Sequence, residues 1–149
     1  MKLIAALALF AVVPAQAQTV TDGDTIKLAG TTYRLWGIDA PETRQSCADG
    51  WPAGVEASNK MRGLVAGHAV TCEPRAKDRY GRTVALCRAD EQDLGAAMVS
   101  AGMAWAFTRY SGDYVEQERA AIDARAGVHG HDCEKPWDWR TKKREGLAP

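Results

Sequence analysis

The sequence predicts a mixed α+β domain in a chain of 149 residues, a length that suits one domain. Short apolar runs alternate with polar residues as in strands, first at Ile26 and Leu28 and again over residues 33–38. Longer stretches have apolar residues at helical spacing instead. These predicted helices cover residues 54–66, 94–101 and 114–126.

The first 17 residues are typical of a secretory signal. Lys2 provides the positive start, residues 3–13 form an apolar segment, and Ala15 and Ala17 mark a small-x-small cleavage site. The apolar segment is too short to span a bilayer as a mature helix. The alternative, a buried first strand or helix, fits less well because the run lacks polar alternation. We expect an exported protein, periplasmic or secreted, that begins at Gln18 and has no membrane span.

Residues 22–42 form the most informative stretch, which reads as two strands joined by a turn. Asp24 precedes the first strand and Asp39 follows the second, so a hairpin brings both carboxylates to one end of the sheet. Glu42 follows closely. An all-oxygen group of this kind suits a hard cation such as calcium. The alternative is that these acids are ordinary turn residues.

Two arginines are placed where they can face these acids. Arg34 lies inside the second strand, and Arg82 begins a later strand after a charged loop in which Gly81 allows a tight turn. Guanidinium groups match phosphate oxygens bidentately and stabilise charge that accumulates on a transferring phosphoryl group. The alternative is a pair of structural salt bridges between these arginines and neighbouring aspartates.

The rest of the chain supplies further strands, helices and loops. Two more strands are predicted over residues 68–73 and 83–88. We expect the first helix to bury a stripe formed by Val55, Met61, Leu64 and Val65. Asp93 can cap the second helix. We expect Val115, Ile122 and the alanines between them in the third helix to face the core, and the basic C-terminal tail to fray.

Four cysteines in an exported chain favour disulfides over free thiols. Four cysteines allow three pairings. Cys72 and Cys87 lie in two predicted strands that are joined by a loop and can face each other across a ladder. If they pair, Cys47 would be left to pair with Cys133. The alternative is a metal site formed by His129, His131 and Cys133, which lacks a second close cysteine.

The chain has a formal net charge of zero, with 19 basic and 19 acidic residues. Bulk charge therefore does not indicate nucleic-acid binding, and any such site must be a local basic patch.

Four motifs together give the chain a family resemblance. They are DGDT at 22–25, YRLWGIDAPE at 33–42, DRYGR at 78–82 and the turn that begins at Gly102. In these motifs the chain resembles the staphylococcal nuclease-like (thermonuclease) family, from Thr21 to about Arg140. The resemblance implies an OB-type five-stranded β-barrel with three α-helices, in a domain of residues 18–140 followed by a flexible basic tail of residues 141–149.

The resemblance also implies a calcium-dependent phosphodiesterase that acts on DNA and RNA, prefers single-stranded or frayed substrates and leaves 3′-phosphates. The positions that match the family's site are the calcium ligands Asp24, Asp39 and the Ala40 carbonyl, the catalytic residues Arg34, Glu42 and Arg82, and the substrate contacts Arg79, Tyr80 and Tyr110. We expect a monomer. Two other classes stay open at this point: a catalytically inactive OB-type nucleic-acid-binding module, and a disulfide-stabilised interaction protein.

Overall fold

The computed structural model describes residues 18–147, so the predicted signal segment and the last two residues of the expected tail lie outside the described residues. The strands of the described part are β1 (Gln18–Val20), β2 (Thr25–Leu28), β3 (Thr31–Leu35), β4 (Ile38–Asp39), β5 (Val70–Lys77), β6 (Thr83–Ala89), β7 (Gln92–Asp93) and β8 (Trp105–Ala106). Its α-helices are α1 (Ala53–Val65), α2 (Leu94–Ser100), α3 (Val115–Asp123) and α4 (Pro136–Arg144), and a 3-10 turn spans Gly127–His129.

The strands form one large sheet and one small one. The large sheet has the order β1-β2-β3-β6-β5 with β7 paired to β6, and the small sheet pairs β4 with β8. Strands β2 and β3 form the predicted antiparallel hairpin, in which Thr25 lies opposite Arg34. Strand β3 then runs parallel to β6, with Arg34 opposite Val84. This parallel pairing brings the loop before β6, which ends at Arg82, next to the hairpin formed by β2 and β3.

The predicted strand over residues 33–38 is two strands rather than one. Gly37 has a φ of 70°, a left-handed conformation that glycine adopts without strain, and it separates β3 from β4. The chain therefore leaves the large sheet before Ile38, and Asp39 pairs with Trp105 in the small sheet. This exchange of sheets positions the second acid of the hairpin.

Helix α1 packs its small and apolar face on the sheet. Ala57, Met61 and Val65 are buried on this face, at helical spacing. The prediction that Val55 belongs to the buried stripe is wrong, because Val55 is 47% exposed on another face of the helix. Gly54 approaches the Glu42 carbonyl so closely that a β-carbon would collide with it, which places the helix start directly against Glu42.

The predicted cap of helix α2 is confirmed, and the helix ends at Ser100, one residue earlier than predicted. The Asp93 carboxylate accepts a hydrogen bond from the backbone N–H of Ala96 at 3.1 Å, which satisfies one donor of the first turn. Leu94, Met98 and Val99 are fully buried in the core.

Helix α3 is shorter than the predicted span, and its apolar residues are placed differently. Ala121 is buried, whereas Val115 and Ile122 are 39% and 50% exposed. The prediction that this set faces the core is therefore confirmed for Ala121 and wrong for Val115, Ala120 and Ile122.

Helix α4 is an element that the sequence reading did not predict. Pro136 begins the helix, a position where its missing N–H costs no hydrogen bond, and it is fully buried. The expected boundary at residue 140 falls inside this helix. The described residues thus contain four α-helices instead of the three expected, and the flexibility of the residues after α4 stays a prediction.

Two disulfides form with the favoured pairing. Cys72 joins Cys87 across the β5–β6 ladder, and Cys47 joins Cys133. The alternative metal site is excluded, because the Cys133 sulfur is used in the disulfide and His131 stacks on Trp51 at 4.4 Å between ring centroids.

The predicted mixed α+β class is confirmed, whereas closure of the strands into a five-stranded barrel stays a prediction. No helix within residues 18–147 combines the length and the apolar character that a membrane crossing needs.

Candidate functional site

The two hairpin acids meet beneath one cleft, as predicted. Asp24 is buried and Asp39 is fully buried. One carboxylate oxygen of Asp24, Oδ2, accepts the backbone N–H of Ala40 at 2.9 Å, and the other, Oδ1, accepts the Thr25 hydroxyl at 3.0 Å. The hydrogen bond to Ala40 fixes the turn after β4 to the turn before β2, so the two acids share one location.

Arg34 joins the two acids. Its Nη1 donates to Asp24 Oδ1 at 2.9 Å and its Nη2 donates to Asp39 Oδ1 at 3.0 Å. The ion pairs raised as an alternative for Arg34 are therefore real contacts. They do not use all of its donors, since a guanidinium carries five N–H groups.

The acids around Arg34 are buried and lie close to one another, so burial and mutual repulsion disfavour their negative charges. Burial disfavours charge on Asp24, yet the Arg34 guanidinium and hydrogen bonds hold the pKa of Asp24 below its ordinary value. Burial and the adjacent Asp24 raise the pKa of Asp22 to about 7. Burial also raises the pKa of Asp39 against the pull of its arginine partners. A cation placed here would relieve this repulsion.

Arg82 is held by the turn that precedes β6. Asp78 Oδ1 accepts the backbone N–H groups of Tyr80 and Arg82, each at 2.9 Å, and Asp78 Oδ2 accepts Arg82 Nε at 2.6 Å. Gly81 completes the tight turn with a φ of 80°. Within residues 18–147, the Nη groups of Arg82 have no protein hydrogen-bond partner, so that edge of the guanidinium is available to a ligand.

One cleft of about 740 Å³ collects most of the predicted site. Its lining includes the predicted residues Asp24, Arg34, Ala40, Glu42, Arg79, Tyr80, Arg82 and Tyr110. Asp39 does not line the cleft, because it lies below the surface with both oxygens bound by arginines.

Aromatic side chains form one wall of this cleft. Tyr110, predicted from the resemblance, is 69% exposed and lies 5.1 Å from Phe107 and 6.5 Å from Trp36 between ring centroids. Phe107 in turn contacts Trp137 at 5.5 Å. On the other side, Arg79 lies over the exposed Tyr80 ring at 4.9 Å. Sequence reasoning missed the roles of Trp36, Phe107 and Trp137, because each reads as an ordinary core aromatic.

Sequence reasoning also missed Arg140, on helix α4. Its Nη2 donates to Asp39 Oδ2 at 2.6 Å, and its Nη1 donates to Glu42 Oε1 at 2.7 Å and to Asp39 Oδ1 at 3.1 Å. The only signal in the sequence was an arginine between Trp139 and Thr141, which does not reveal a partner about a hundred residues away.

Comparison with known proteins shows the family to which the chain belongs. A family model described as staphylococcal nuclease homologue matches residues 32–129. The chain belongs to the staphylococcal nuclease homologue family. The match contains Arg34, Asp39, Glu42 and Arg82, so most of the cleft lies in the part shared with the family, whereas helix α4 lies beyond it.

Individual relatives in the staphylococcal nuclease homologue family cover much of the chain. An uncharacterized endonuclease of Escherichia coli O157:H7 is 36% identical over 132 residues, which are 83% of this chain and 82% of the relative. An uncharacterized endonuclease of Haemophilus influenzae is 30% identical over 137 residues, 87% of this chain and 74% of the relative. Staphylococcal-like nuclease CAN1 of Arabidopsis thaliana is 32% identical over 76% of this chain, which spans only 34% of that protein.

The staphylococcal nuclease homologue family uses metal ions, and the oxygen donors in this cleft and directly below it suit a hard one. Asp24, Asp39 and the Ala40 carbonyl offer oxygen ligands of the kind that calcium accepts. No three His, Cys, Asp or Glu side chains within residues 18–147 form a metal-binding group by themselves. A bound cation would therefore depend on the carbonyl, water or substrate oxygens as well as on the carboxylates.

Proposed function

We propose that this protein is an exported, calcium-dependent nuclease that hydrolyses phosphodiester bonds of DNA and RNA with little sequence specificity. The observation that supports it most strongly is the convergence on one cleft of Asp24 and Glu42 with Arg34 and Arg82, with Asp39 directly below. Oxygen donors for a cation and guanidinium donors for a phosphate thus lie side by side. This pairing is what stabilisation of a phosphoryl-transfer transition state requires.

Asp24, Asp39 and the Ala40 carbonyl would hold calcium. When bound, the ion would supply Lewis-acid stabilisation to a phosphate oxygen. The carboxylates bring negative charge, and their burial limits competing water.

Glu42 is the residue that faces the attacking water in this proposal. Its side chain is 37% exposed and lines the cleft next to the phosphate-binding arginines. A carboxylate in this place accepts a hydrogen bond from the water, which positions it, and can take its proton as general base.

Arg34 and Arg82 bind the remaining phosphate oxygens. Arg82 offers its free Nη edge while Asp78 fixes its Nε, and Arg34 retains N–H groups that its two aspartates do not use. Because both guanidiniums are held in place before substrate arrives, they stabilise the growing charge without reorganising. The broken bond would be that to the 5′ oxygen, which leaves 3′-phosphates.

The substrate is held by its backbone and by stacking. Arg79 and Tyr80 would contact a terminal phosphate, and Tyr110 with its aromatic neighbours offers faces on which unpaired bases stack. Phosphate contacts and stacking carry little sequence information, so cleavage would be nonspecific and would favour single-stranded or frayed ends. The two disulfides support export to an oxidising compartment, where we expect a monomer.

A second candidate is a catalytically inactive OB-type module that binds nucleic acid. The complete engagement of Asp39 favours it, because both Asp39 oxygens are bound by arginines. A module of this type would bind single-stranded DNA in the cleft without cleaving it.

The proposal is tested by incubating the purified protein with single-stranded DNA in calcium and in a calcium chelator. We expect cleavage in calcium, no cleavage in the chelator, and full recovery when calcium is restored. Glu42→Gln is the matched control, since it keeps the shape of the side chain and should bind DNA without cleaving it. Binding without cleavage by the unaltered protein would favour the inactive module, and neither binding nor cleavage would exclude both candidates.

A further inference from the structure

We propose that Arg140 is a positioning residue that orients Glu42 and Asp39 for the hydrolysis proposed above, an inference that depends on that proposed function. Arg140 makes three hydrogen bonds, of 2.6 to 3.1 Å, to these two acids. One guanidinium therefore connects the acid that faces the water to an acid that would hold the cation.

Arg140 determines where the Glu42 carboxylate points. Within residues 18–147, Arg140 is the one side chain that hydrogen-bonds this carboxylate. The Glu42 backbone is already fixed, because its N–H donates to Gln45 Oε1 at 3.1 Å and its carbonyl accepts the Gln45 N–H at 2.7 Å. A fixed backbone and a single guanidinium contact together define the direction in which Oε2, the oxygen that Arg140 does not bind, is presented to the cleft.

The position of Arg140 depends on the attachment of helix α4. Gln45 is buried and its Nε2 donates to the Glu134 carbonyl at 2.6 Å, just before the helix begins. The Cys47–Cys133 disulfide adds a covalent link between the same two segments. The loop that contains Glu42 and the segment that leads into α4 are thus joined directly, which holds Arg140 over its acids.

A positioning role differs from a phosphate-binding role in how Arg140 uses its donors. Both of its Nη groups are bound to protein carboxylates, whereas the Nη groups of Arg82 are not. Loss of Arg140 should therefore reduce the chemical step more than substrate binding. It also removes a positive charge beside Asp39, which should leave calcium affinity unchanged or increase it.

The test compares Arg140→Ala with Lys143→Ala. Lys143 lies on the same helix but does not line the cleft, and its ammonium lies 4.9 Å from the centroid of the Trp139 ring. Measurements are kcat and KM on single-stranded DNA, the calcium dissociation constant by calorimetry, and thermal unfolding in a chelator. Added guanidinium ion serves as a chemical rescue of the Arg140→Ala cavity.

We expect Arg140→Ala to lower kcat by roughly 10- to 100-fold with little change in KM, because a small misplacement of a reacting group is costly. Calcium affinity should not weaken, guanidinium should restore part of kcat, and Lys143→Ala should keep normal turnover. An unchanged or higher kcat in Arg140→Ala would overturn the inference alone. If Arg140→Ala loses both calcium affinity and folding, and guanidinium restores no kcat, then Arg140 has a structural role only and the inference is overturned. An inactive wild-type protein would overturn the proposed function as well.

Discussion

Arg82→Lys is expected to lower kcat by roughly 10²–10³ on single-stranded DNA while KM changes only modestly. The Nε of Arg82 donates to Asp78 at 2.6 Å, and Arg82 also lines the cleft, where its Nη groups are proposed to bind the phosphate. A lysine ammonium is a point charge without this planar fork, so it cannot serve both partners in one geometry. The loss should fall mainly on the transition state, where charge on the phosphate is greatest.

The matched control for Arg82 is Arg79→Lys. Arg79 belongs to the same turn and the same cleft but has no carboxylate partner that directs it within the described residues, and it lies over Tyr80. We expect this control to alter KM more than kcat. The measurement is steady-state hydrolysis, with calorimetric binding of a nucleoside bisphosphate in calcium. Near-normal turnover in Arg82→Lys would mean that the Arg82–Asp78 ion pair serves structure alone.

Removing the Cys47–Cys133 disulfide is expected to have the largest effect on stability. Its cysteines are 86 residues apart, so the loop-closure estimate is about 4.6 kcal/mol of unfolding free energy, against about 3 kcal/mol for the 15-residue separation of Cys72 and Cys87. Cys47→Ser, Cys133→Ser and the double variant should lose similar amounts, because each breaks the same bond. Denaturant unfolding in a chelator measures the loss.

The Cys72–Cys87 bond provides the control for activity. Of the two disulfides, Cys47–Cys133 is the one that joins the Glu42 loop to the segment that carries Arg140, so of the two only its loss should lower kcat at temperatures where the protein stays folded. Cys72→Ser with Cys87→Ser should lower stability and leave kcat near normal, since that bond joins β5 to β6 away from the cleft. Equal loss of kcat in both double variants would contradict a specific link to α4.

Local chemistry explains why the acidic hairpin could be predicted. Asp24 and Asp39 are 15 positions apart and a tight hairpin has few alternatives, so the sequence pattern implied their meeting. The Asp93 cap has the same local origin. The Cys72–Cys87 pair needed only two neighbouring antiparallel strands, which the apolar alternation already indicated.

Features that depend on distant segments could not be predicted. Arg140 meets Glu42 across 98 positions, and its basic surroundings resemble a solvated tail. Val55 was misplaced because a small residue forms the packed face of helix α1, where Ala57 is buried instead. Apolar periodicity favours large side chains and gives little weight to alanine, although a close helix–sheet contact requires small residues.

The central claim is that Asp24 and Asp39 belong to a calcium site that drives hydrolysis, and a calcium titration of the cleavage rate tests it most directly. The titration compares the wild-type protein with Asp24→Asn and Asp39→Asn. The control is Asp90→Asn, which removes one carboxylate outside the cleft, where Asp90 contacts His68. Both site acids are buried and hydrogen-bonded, so their substitution can destabilise the protein. Circular dichroism at the assay temperature therefore checks that each variant is folded.

We predict that Asp24→Asn and Asp39→Asn each need several-fold more calcium for half-maximal cleavage, because each removes one anionic ligand. The increase is about tenfold if that ligand contributes about 1.4 kcal/mol to calcium binding. Asp90→Asn should follow the wild-type curve. Folded variants of both site acids that cleave DNA with the wild-type calcium requirement would contradict the claim.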